Sequence, residues 1–284
     1  MESTGTMNRI RASMLPAYND CPRRAAARQF RREIEKAGYK LNDELPSIGA
    51  AVGTATHAVA EEYFRAKMEA REFSQDTAVE SAISELQEKT KSGCIWDDTT
   101  PSIDTARVQI KRMANAYIES VGKNTIPLAV EIRIEAEISE GWILSGQIDL
   151  AAEAKDGGIH LRDIKTGAIS RSHHSQLGAY SLLLRSDTPE GLPSNVSAAS
   201  IDFVKRTPKR NPQEGVVTTD YDISLCEKTA YYTIQRIKTD FEKFKETNNP
   251  FGFAENSMSM LCNKTYCIAF GTEFCPITKG ITEK

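Results

Sequence analysis

The fold is decided by the stretch Gly146-Gln147-Ile148-Asp149-Leu150, the turn Lys155-Asp156-Gly157-Gly158 and the stretch Leu161-Arg162-Asp163-Ile164-Lys165-Thr166-Gly167. An Asp-Gly-Gly turn between two alternating apolar stretches is a strong signal for a β-hairpin. Because side chains alternate between the two faces of a strand, Asp163 and Lys165 share one face. A three- or five-residue loop centred on Asp156 would place Asp149 directly opposite Asp163.

Two carboxylates and one ammonium group would then meet on one patch of the sheet. Such a group can hold a divalent cation and can position a water molecule for attack on phosphate. An Asp-x-Lys triplet is also common on the solvated face of a strand, so the triplet alone does not indicate a function. The features that surround the hairpin decide between these two interpretations.

Helical segments on both sides of the hairpin carry further polar residues. Downstream, Gln176 and Tyr180 are four positions apart and therefore share one face of a predicted helix. Upstream, His57 lies in a predicted helix that follows Gly53. A lone histidine is usually buried and satisfied by its neighbours, and the alternative is an imidazole that reaches the same cation.

In this order, the residues resemble the PD-(D/E)XK nuclease superfamily in its RecB-like branch. The order is Gly-x-x-x-His, Gly-x-x-Asp, Asp-x-Lys-Thr-Gly and Gln-x-x-x-Tyr, and the resemblance runs from about Ser13 to Pro276. The branch includes nuclease domains of bacterial recombination helicase–nucleases, the CRISPR-adaptation nucleases and many small phage nucleases. The second acidic position is Asp163 rather than Glu, and both residues occur in the superfamily.

The resemblance implies metal-dependent hydrolysis of a DNA phosphodiester. Asp149 and Asp163 would hold Mg²⁺ or Mn²⁺ together with the backbone carbonyl group of Ile164. His57 would add a nitrogen ligand, which favours Mn²⁺ somewhat over Mg²⁺.

Four other residues complete the site that the resemblance implies. Lys165 would orient or activate the attacking water and offset charge on the phosphate. Gln176 and Tyr180 would hold the DNA strand or the ammonium group of Lys165. Glu131, on the strand before Asp149, is a weaker candidate that would support the metal ligands.

The substrate implied by the resemblance is single-stranded DNA or DNA with free ends, cut by an exonuclease. A phage-encoded protein with a role in DNA repair, recombination or CRISPR adaptation fits this branch, as does a protein partner from such a pathway. The alternatives are a structure-specific endonuclease or resolvase of the same fold and a non-catalytic DNA-binding or assembly subunit.

Three of the six cysteines are closely spaced near the end of the chain, as Cys262-x4-Cys267-x7-Cys275. Such spacing suits a metal or a cluster better than disulfides in a chain without a recognisable secretory signal. The resemblance supplies a fourth ligand, Cys21, because RecB-like nucleases with an iron–sulfur cluster have one cysteine before the core and three after it. It therefore implies a [4Fe–4S] cluster, and a structural Zn²⁺ site is the alternative.

The composition agrees with a soluble globular protein, which we expect in the cytoplasm. Hydrophobic residues make up 40% of the 284 residues, and no apolar run approaches the ~20 residues of a membrane span. The net charge of −3 does not itself indicate a DNA-binding protein, so the distribution of charge matters more. Two basic groups are predicted to flank a groove for the phosphate backbone: Arg23, Arg24, Arg28, Arg31 and Arg32, and Lys205, Arg206, Lys209 and Arg210.

The predicted fold class is α/β, with a restriction-endonuclease-like topology that the resemblance supplies. A mixed sheet with flanking helices would form one domain over residues 1–284, with a helical insertion at about 70–122. Residues 249–284 form a cysteine-rich tail, which would make a metal or cluster clasp with the Cys21 region. Strands are predicted near 127–137, 142–153, 159–165, 199–205 and 216–223, and helices over 13–36, 50–68, 74–91, 104–121, about 170–184 and 224–247.

Overall fold

A mixed six-stranded sheet with flanking helices forms the protein in the computed structural model, which describes residues 7–44, 46–167, 173–206 and 212–278. The strands are β1 (Asn8–Arg11), β2 (Pro127–Ser139), β3 (Trp142–Glu153), β4 (Ile159–Thr166), β5 (Val196–Val204) and β6 (Val216–Tyr221). The α-helices are α1 (Leu15–Asp20), α2 (Pro22–Gln29), α3 (Arg31–Lys36), α4 (Ile48–Met68), α5 (Gln75–Thr90), α6 (Ile103–Ser120), α7 (His174–Ser186) and α8 (Ile223–Thr247). No helix in the described ranges is long and apolar enough to cross a membrane.

One edge of β3 is shared by two strands that do not meet. β2 pairs with β3 along nearly its whole length, so β1 and β4 must both pair with the opposite edge. β1 covers residues 142–145 of that edge and β4 covers residues 150–153. Residues 146–149 lie between these two ladders, and Asp149 therefore stands where the sheet splits.

The predicted hairpin is confirmed by the pairing of β3 with β4. The antiparallel ladder runs from Glu153 opposite Ile159 to Leu150 opposite Arg162, around a five-residue loop centred on Asp156. The ladder ends one position short of Asp149 and Asp163, which the same register would place opposite each other. The Asp156 carboxylate accepts a hydrogen bond from the Gly158 N–H at 3.0 Å, which stabilises the turn.

Two hydrophobic clusters lie on opposite faces of the sheet. Ile201 and Phe203 of β5 belong to the cluster that holds α1, α2, α7 and α8, whereas Val204 belongs to the cluster formed with α4, α5 and α6. Alternating side chains of one strand thus supply both cores. The segment at about 70–122 contains α5 and α6, which pack against α4, and its description as an insertion stays a prediction.

A buried ionic network ties α6 to the sheet. The carboxylate of Asp202 is fully buried and accepts hydrogen bonds from the Arg162 guanidinium at 2.6 and 2.9 Å and from Thr218 at 2.6 Å. Tyr117 of α6 donates to the same carboxylate at 3.4 Å. Because the charge is paired and hydrogen-bonded, the cost of burying it is largely offset.

The elements predicted from the sequence are present, with two differences at the start of the chain. The first predicted helix is broken into α1, α2 and α3, and β1 was not predicted. The breaks fall at Cys21, whose backbone is extended, and at Phe30.

The prediction of a basic helix that faces DNA is wrong for Arg23 and Arg24. Arg23 is 1% exposed and donates two hydrogen bonds to the Phe253 carbonyl group. Arg24 is 4% exposed and forms an ion pair with Asp20 at 2.7 Å. These guanidinium groups hold the C-terminal tail against α2, so they are not available to phosphates.

Two members of the second predicted basic group make local contacts, and the role of this group toward DNA stays a prediction. Arg206 forms an ion pair with Asp97 at 2.7 Å, and Lys205 donates to the carbonyl group of Glu214 at 3.1 Å. Lys209 and Arg210 lie outside the described residues.

A close approach of α7 to α8 depends on Gly178. A Cβ atom at this position would lie 2.0 Å from the carbonyl oxygen of Cys226 and 2.7 Å from the amide nitrogen of Glu227. Both are backbone atoms, which cannot turn away as a side chain can. Glycine therefore lets α7 pack flat against α8, and α7 carries Gln176 and Tyr180 toward the edge of the sheet.

We expect Gly178→Ala to lower the free energy of unfolding by about 1–3 kcal/mol, because overpacking forces the two helices apart. Alanine favours a helix over glycine by about 1 kcal/mol, so intrinsic propensity alone predicts the opposite sign. Urea denaturation followed by circular dichroism measures the change, with Ser186→Ala at an exposed position of α7 as the control. A Gly178→Ala protein as stable as the wild type would contradict this account of the packing.

Candidate active site

Asp149 is held at the split in the sheet by contacts from two other elements. Its Oδ2 atom accepts a hydrogen bond from the backbone N–H of Ile164 at 2.8 Å and lies 3.4 Å from His57 Nδ1. Burial would raise the pKa of Asp149, but the His57 imidazole and the Lys165 ammonium group outweigh it and hold the pKa below its usual value. Asp149 is therefore ionised at neutral pH.

Asp163 and Lys165 lie on one face of β4, as the alternation of side chains predicts. Lys165 Nζ lies 2.6 Å from Asp163 Oδ2, and Asp163 is 2% exposed. Burial raises the pKa of Asp163 to about 6, although Lys165 opposes the rise. Burial would lower the pKa of Lys165, but the carboxylates of Asp163 and Asp149 reverse this and raise it. Lys165 therefore stays protonated.

The predicted pair on α7 contacts Asp163. Gln176 Nε2 donates to Asp163 Oδ1 at 3.1 Å and to the Tyr180 hydroxyl at 2.7 Å. Gln176 and Tyr180 are each 4% exposed. The structure thus places Gln176 on the carboxylate, where it fixes the orientation of Asp163.

Glu131 lies closer to the centre of the site than a supporting role requires. One ligand atom from each of Glu131, His57 and Asp149 lies within 4.8 Å of the others, and the described residues contain no other such group of His, Cys, Asp or Glu. Glu131 has a φ angle of 51°, in the left-handed region that costs a non-glycine residue energy. Gln147 donates a hydrogen bond to its carboxylate.

His57 reaches the site because Gly53 allows α4 to approach β4. A Cβ atom at Gly53 would lie 2.4 Å from the Thr166 hydroxyl oxygen. His57 follows Gly53 by about one helical turn and therefore faces the same side. Burial would lower the pKa of His57, but the Asp149 carboxylate outweighs it, and the pKa is raised.

The donor set fits a divalent cation. Asp163 Oδ2 is buried, and its described partner is the Lys165 ammonium group at 2.6 Å. An ionised carboxylate oxygen has two lone pairs, so the same atom can also coordinate a metal. The N–H of Ile164 is used by Asp149, whereas its carbonyl group remains a candidate ligand. Carboxylates with one imidazole suit Mg²⁺ or Mn²⁺.

A cavity of about 680 Å³ opens over these residues. His57 and Glu61 of α4 and Glu85 and Lys89 of α5 line one side. Ala50, Gly53, Thr54 and Ala58 of α4 also line this side. The remaining wall comes from the turn at Ser13, from α7 and from the sheet, through Glu131, Arg133, Gln147, Asp149, Asp163, Ile164, Lys165, Thr166, Gln176 and Tyr180. Helix α5 therefore forms part of the cavity wall, which the sequence did not indicate.

The C-terminal tail brings its cysteines toward Cys21. The Arg23 N–H donates to the Ala254 carbonyl group at 2.9 Å, and the Ser259 hydroxyl donates to the Asp20 carboxylate at 2.7 Å. Burial raises the pKa of Cys262, and the neighbouring thiols of Cys275 and Cys21 add to the rise.

Cys267 belongs to the same region. Burial raises its pKa to about 11, and Cys275 and Cys21 again contribute to the rise. All six cysteines are free thiols in the structure. No three of the cysteine sulfurs in the described ranges lie within 4.8 Å of one another.

Comparison with known proteins agrees with the geometry. The family model of the PD-(D/E)XK nuclease superfamily matches residues 9–269. A search of curated proteins finds no match to this chain. The crystal structure of a candidate exonuclease from Eubacterium rectale is similar over 96% of this chain and 94% of that one, with a TM-score of 0.52 at 10% identity. At this identity the similarity supports the fold alone.

Two other crystal structures are less similar. SSO0001 covers 87% of this chain and 86% of its own at 12% identity, with a TM-score of 0.34. The alkaline exonuclease LHK-Exo from Laribacter hongkongensis covers 68% of this chain and 91% of its own at 12% identity, with a TM-score of 0.30. With TM-scores this low, neither similarity supports a conclusion about the fold or the function of this protein.

The pKa of Glu131 predicts how the metal-free protein responds to pH. Burial first, and then Asp149, raises this pKa from 4.5 to about 7. The folded state therefore binds this proton more tightly than the unfolded state does. The free energy of unfolding should fall as the pH rises from about 4.5 to about 7.

We expect Glu131→Gln to melt about 2–4 °C above the wild type near pH 8 in EDTA, because glutamine does not ionise. Near pH 5 the difference should be much smaller, since Glu131 is then protonated in the folded protein. Differential scanning fluorimetry at both pH values measures this. The same difference at both would show that ionisation of Glu131 is not the cause.

Proposed function

The chain belongs to the PD-(D/E)XK nuclease superfamily, and we propose that it is a divalent-metal-dependent DNA exonuclease that acts on single strands or on DNA ends. The observation that carries the proposal is the meeting of Asp149, Asp163 and Lys165 in the wall of one cavity. The fold shared with the candidate exonuclease from Eubacterium rectale is consistent with a nuclease, and the exonuclease form of the proposal comes from the resemblance to the RecB-like branch.

The metal ligands in this proposal are Asp149, Asp163, His57 and the carbonyl group of Ile164. Glu131 joins them, because its carboxylate lies within 4.8 Å of the ligand atoms of His57 and Asp149. A divalent cation supplies Lewis-acid stabilisation of the charge that builds up on the phosphate. The single imidazole makes Mn²⁺ at least as effective as Mg²⁺.

Lys165 acts as a cation and hydrogen-bond donor in this mechanism. Its pKa is raised by Asp163 and Asp149, so the ammonium group is not available as a general base at neutral pH. It can orient the attacking water and offset negative charge on the phosphate. Asp163 fixes its position at 2.6 Å, and Gln176 in turn fixes Asp163.

Gln176 and Tyr180 have a positioning role in the proposal. Gln176 spans Asp163 and Tyr180 through one amide nitrogen, so the three side chains form a chain of hydrogen bonds. Tyr180 also lines the cavity, but it is 4% exposed, so its role in the proposal is to hold Gln176. A purely DNA-binding subunit would not need this set of oriented groups, which favours an enzyme over a scaffold.

We expect Asp163→Ala and Lys165→Ala each to lower the cleavage rate by about 10²–10³-fold or more, since the first removes a proposed metal ligand and the second a cation that stabilises developing negative charge. The assay uses end-labelled linear and circular single-stranded DNA with Mn²⁺, and EDTA should abolish cleavage. Lys155→Ala in the hairpin turn removes the same charge from an exposed position and serves as the control.

Full activity in either site variant would overturn the assignment of the site. Cleavage of circular DNA as fast as of linear DNA would favour the endonuclease alternative, because a circle offers no end. Circular dichroism checks that each variant is folded.

We also propose that Cys21, Cys262, Cys267 and Cys275 ligate a [4Fe–4S] cluster that clasps the C-terminal tail to α2, within one domain. The contacts between the tail and α2 and the mutual effects of these thiols on their pKa values support the clasp. A tetrahedral zinc ion with bonds of about 2.3 Å would bring the sulfurs to about 3.8 Å from one another. The arrangement of one cysteine before the core and three after it, which resembles that of iron–sulfur nucleases, favours a cubane in which each thiolate binds a different iron.

Anaerobically purified protein should be brown, with broad absorbance and about four irons per chain, as a cubane with four thiolates requires. Cys21→Ser should lose the iron as completely as Cys262→Ser does, because the site needs all four ligands. Cys94→Ser is the matched control and should keep the iron. Colourless protein with one zinc ion would retain the clasp and overturn the cluster, whereas a Cys21→Ser protein with full iron content would exclude Cys21 as a ligand.

A further inference from the structure

The cavity over the candidate active site continues into a second groove beside the hairpin of β2 and β3. The two share the side chains of Ser13, Arg133, Gln147 and Tyr180 in their walls. The second groove has a volume of about 360 Å³ and adds Arg9 and Arg11 of β1. One continuous depression therefore leads from the carboxylates of the site to the strand that the sequence did not predict.

Three arginines line this second groove, and we call Arg9, Arg11 and Arg133 the arginine track. All three are exposed. Arg9 forms an ion pair with Glu135, and Arg133 donates to Gln147 at 3.2 Å. Among the described residues, the Arg11 guanidinium has no hydrogen-bond or ion-pair partner.

The spacing of the track suits a nucleic-acid backbone. Arg9 and Arg11 are two positions apart on β1, so they project on the same side and are about 6.6 Å apart along the strand. Neighbouring phosphates of an extended single strand have a similar separation. Guanidinium groups are also the side chains best suited to bind phosphate oxygens in pairs.

The opposite side of the active-site cavity offers a phosphate no unpaired cation among the described residues. Glu61 and Glu85 line this acidic side together with Lys89, whose ammonium group lies 3.5 Å from Glu85. Glu61 pairs with Arg65 at 2.7 Å, and Arg65 does not line the cavity. The charges on the side formed by α4 and α5 are thus paired with one another, whereas the side formed by β1 and β2 offers the guanidinium group of Arg11 to a phosphate.

We propose that the arginine track binds the DNA strand on one side of the scissile phosphate only. The inference rests on the proposed nuclease function, and it adds on which side of the scissile phosphate the long DNA strand is bound. The acidic side then holds no more than the short end to be released. A one-sided grip of this kind suits an exonuclease, which holds a long strand and releases a small product, whereas an endonuclease must hold DNA on both sides of the cut.

Binding of a fluorescein-labelled oligothymidylate, measured by anisotropy with Ca²⁺ in place of Mn²⁺ over a range of salt concentrations, tests the proposal. Arg11→Ala should weaken binding several-fold and make the slope of log K against log salt less steep by about 0.7, as the loss of one phosphate contact on a single strand does. Lys89→Ala removes the same charge from the acidic side of the same cavity; it should weaken binding less than Arg11→Ala does and leave the slope unchanged, because it removes no phosphate contact.

Three outcomes would overturn the arginine track. They are an Arg11→Ala protein that binds as the wild type does, a Lys89→Ala protein that is weakened equally, and a wild-type protein that does not bind the oligonucleotide at low salt. Thermal melting checks that both variants are folded, which their exposed positions lead us to expect. If Arg11→Ala weakens binding more than Lys89→Ala does but the wild-type protein does not cleave DNA with Mn²⁺, the arginine track is supported and the nuclease function is refuted. Failure of the arginine track and failure of the proposed function are therefore distinguishable.

Discussion

The hydrogen bond from the Ile164 N–H to the Asp149 carboxylate is the interaction on which the site depends. It lies where the ladder between β3 and β4 ends and β1 has not yet begun. In a continuous sheet, the edge of β3 would pair along its whole length and leave no room for a side chain to cross it. The split leaves this edge of residues 146–149 without a strand partner. The Asp149 carboxylate can therefore accept the hydrogen bond from the β4 backbone, while α4 and α7 supply His57 and Gln176.

The same arrangement makes the site costly for the folded protein. Asp163 and Glu131 have raised pKa values because burial disfavours their charged forms, and Glu131 also adopts a left-handed backbone. Lys165 and His57 offset part of the negative charge. The negative charge that is left uncompensated destabilises the folded protein, and a bound cation would reduce this cost. The two hydrophobic cores and the buried network around Asp202 stabilise the fold against it.

Much of the fold and of the site follows from local sequence. The hairpin was predictable because Asp-Gly-Gly favours one turn, and alternation then places Asp163 beside Lys165. The long helices were predictable because their apolar positions repeat with the helical period. The pairs Gly53 with His57 and Gln176 with Tyr180 could be predicted because their spacing is that of one helical turn.

The remaining features depend on contacts between distant parts of the chain. β1 has only four residues and pairs with residues 142–145, so no local pattern indicates it. Arg23 and Arg24 resemble a solvated basic face until the tail covers them. The central place of Glu131 depends on the register of β2 against β3, and the part that α5 takes in the cavity depends on how the insertion packs. None of these four features can be predicted from one segment, because each depends on a contact with a distant part of the chain.

The contact between α2 and the tail joins residues 230 positions apart, and this has a consequence for how the protein is made. A chain leaving the ribosome carries Cys21 long before Cys275 has been synthesised. The sheet and the carboxylate site can form from residues that emerge earlier, but the segment after α8 can pack onto α2 only once Phe253 and Ser259 have emerged. Closure of this contact is therefore a late step of folding, and a chain that stops before Phe253 would contain the carboxylate site without it.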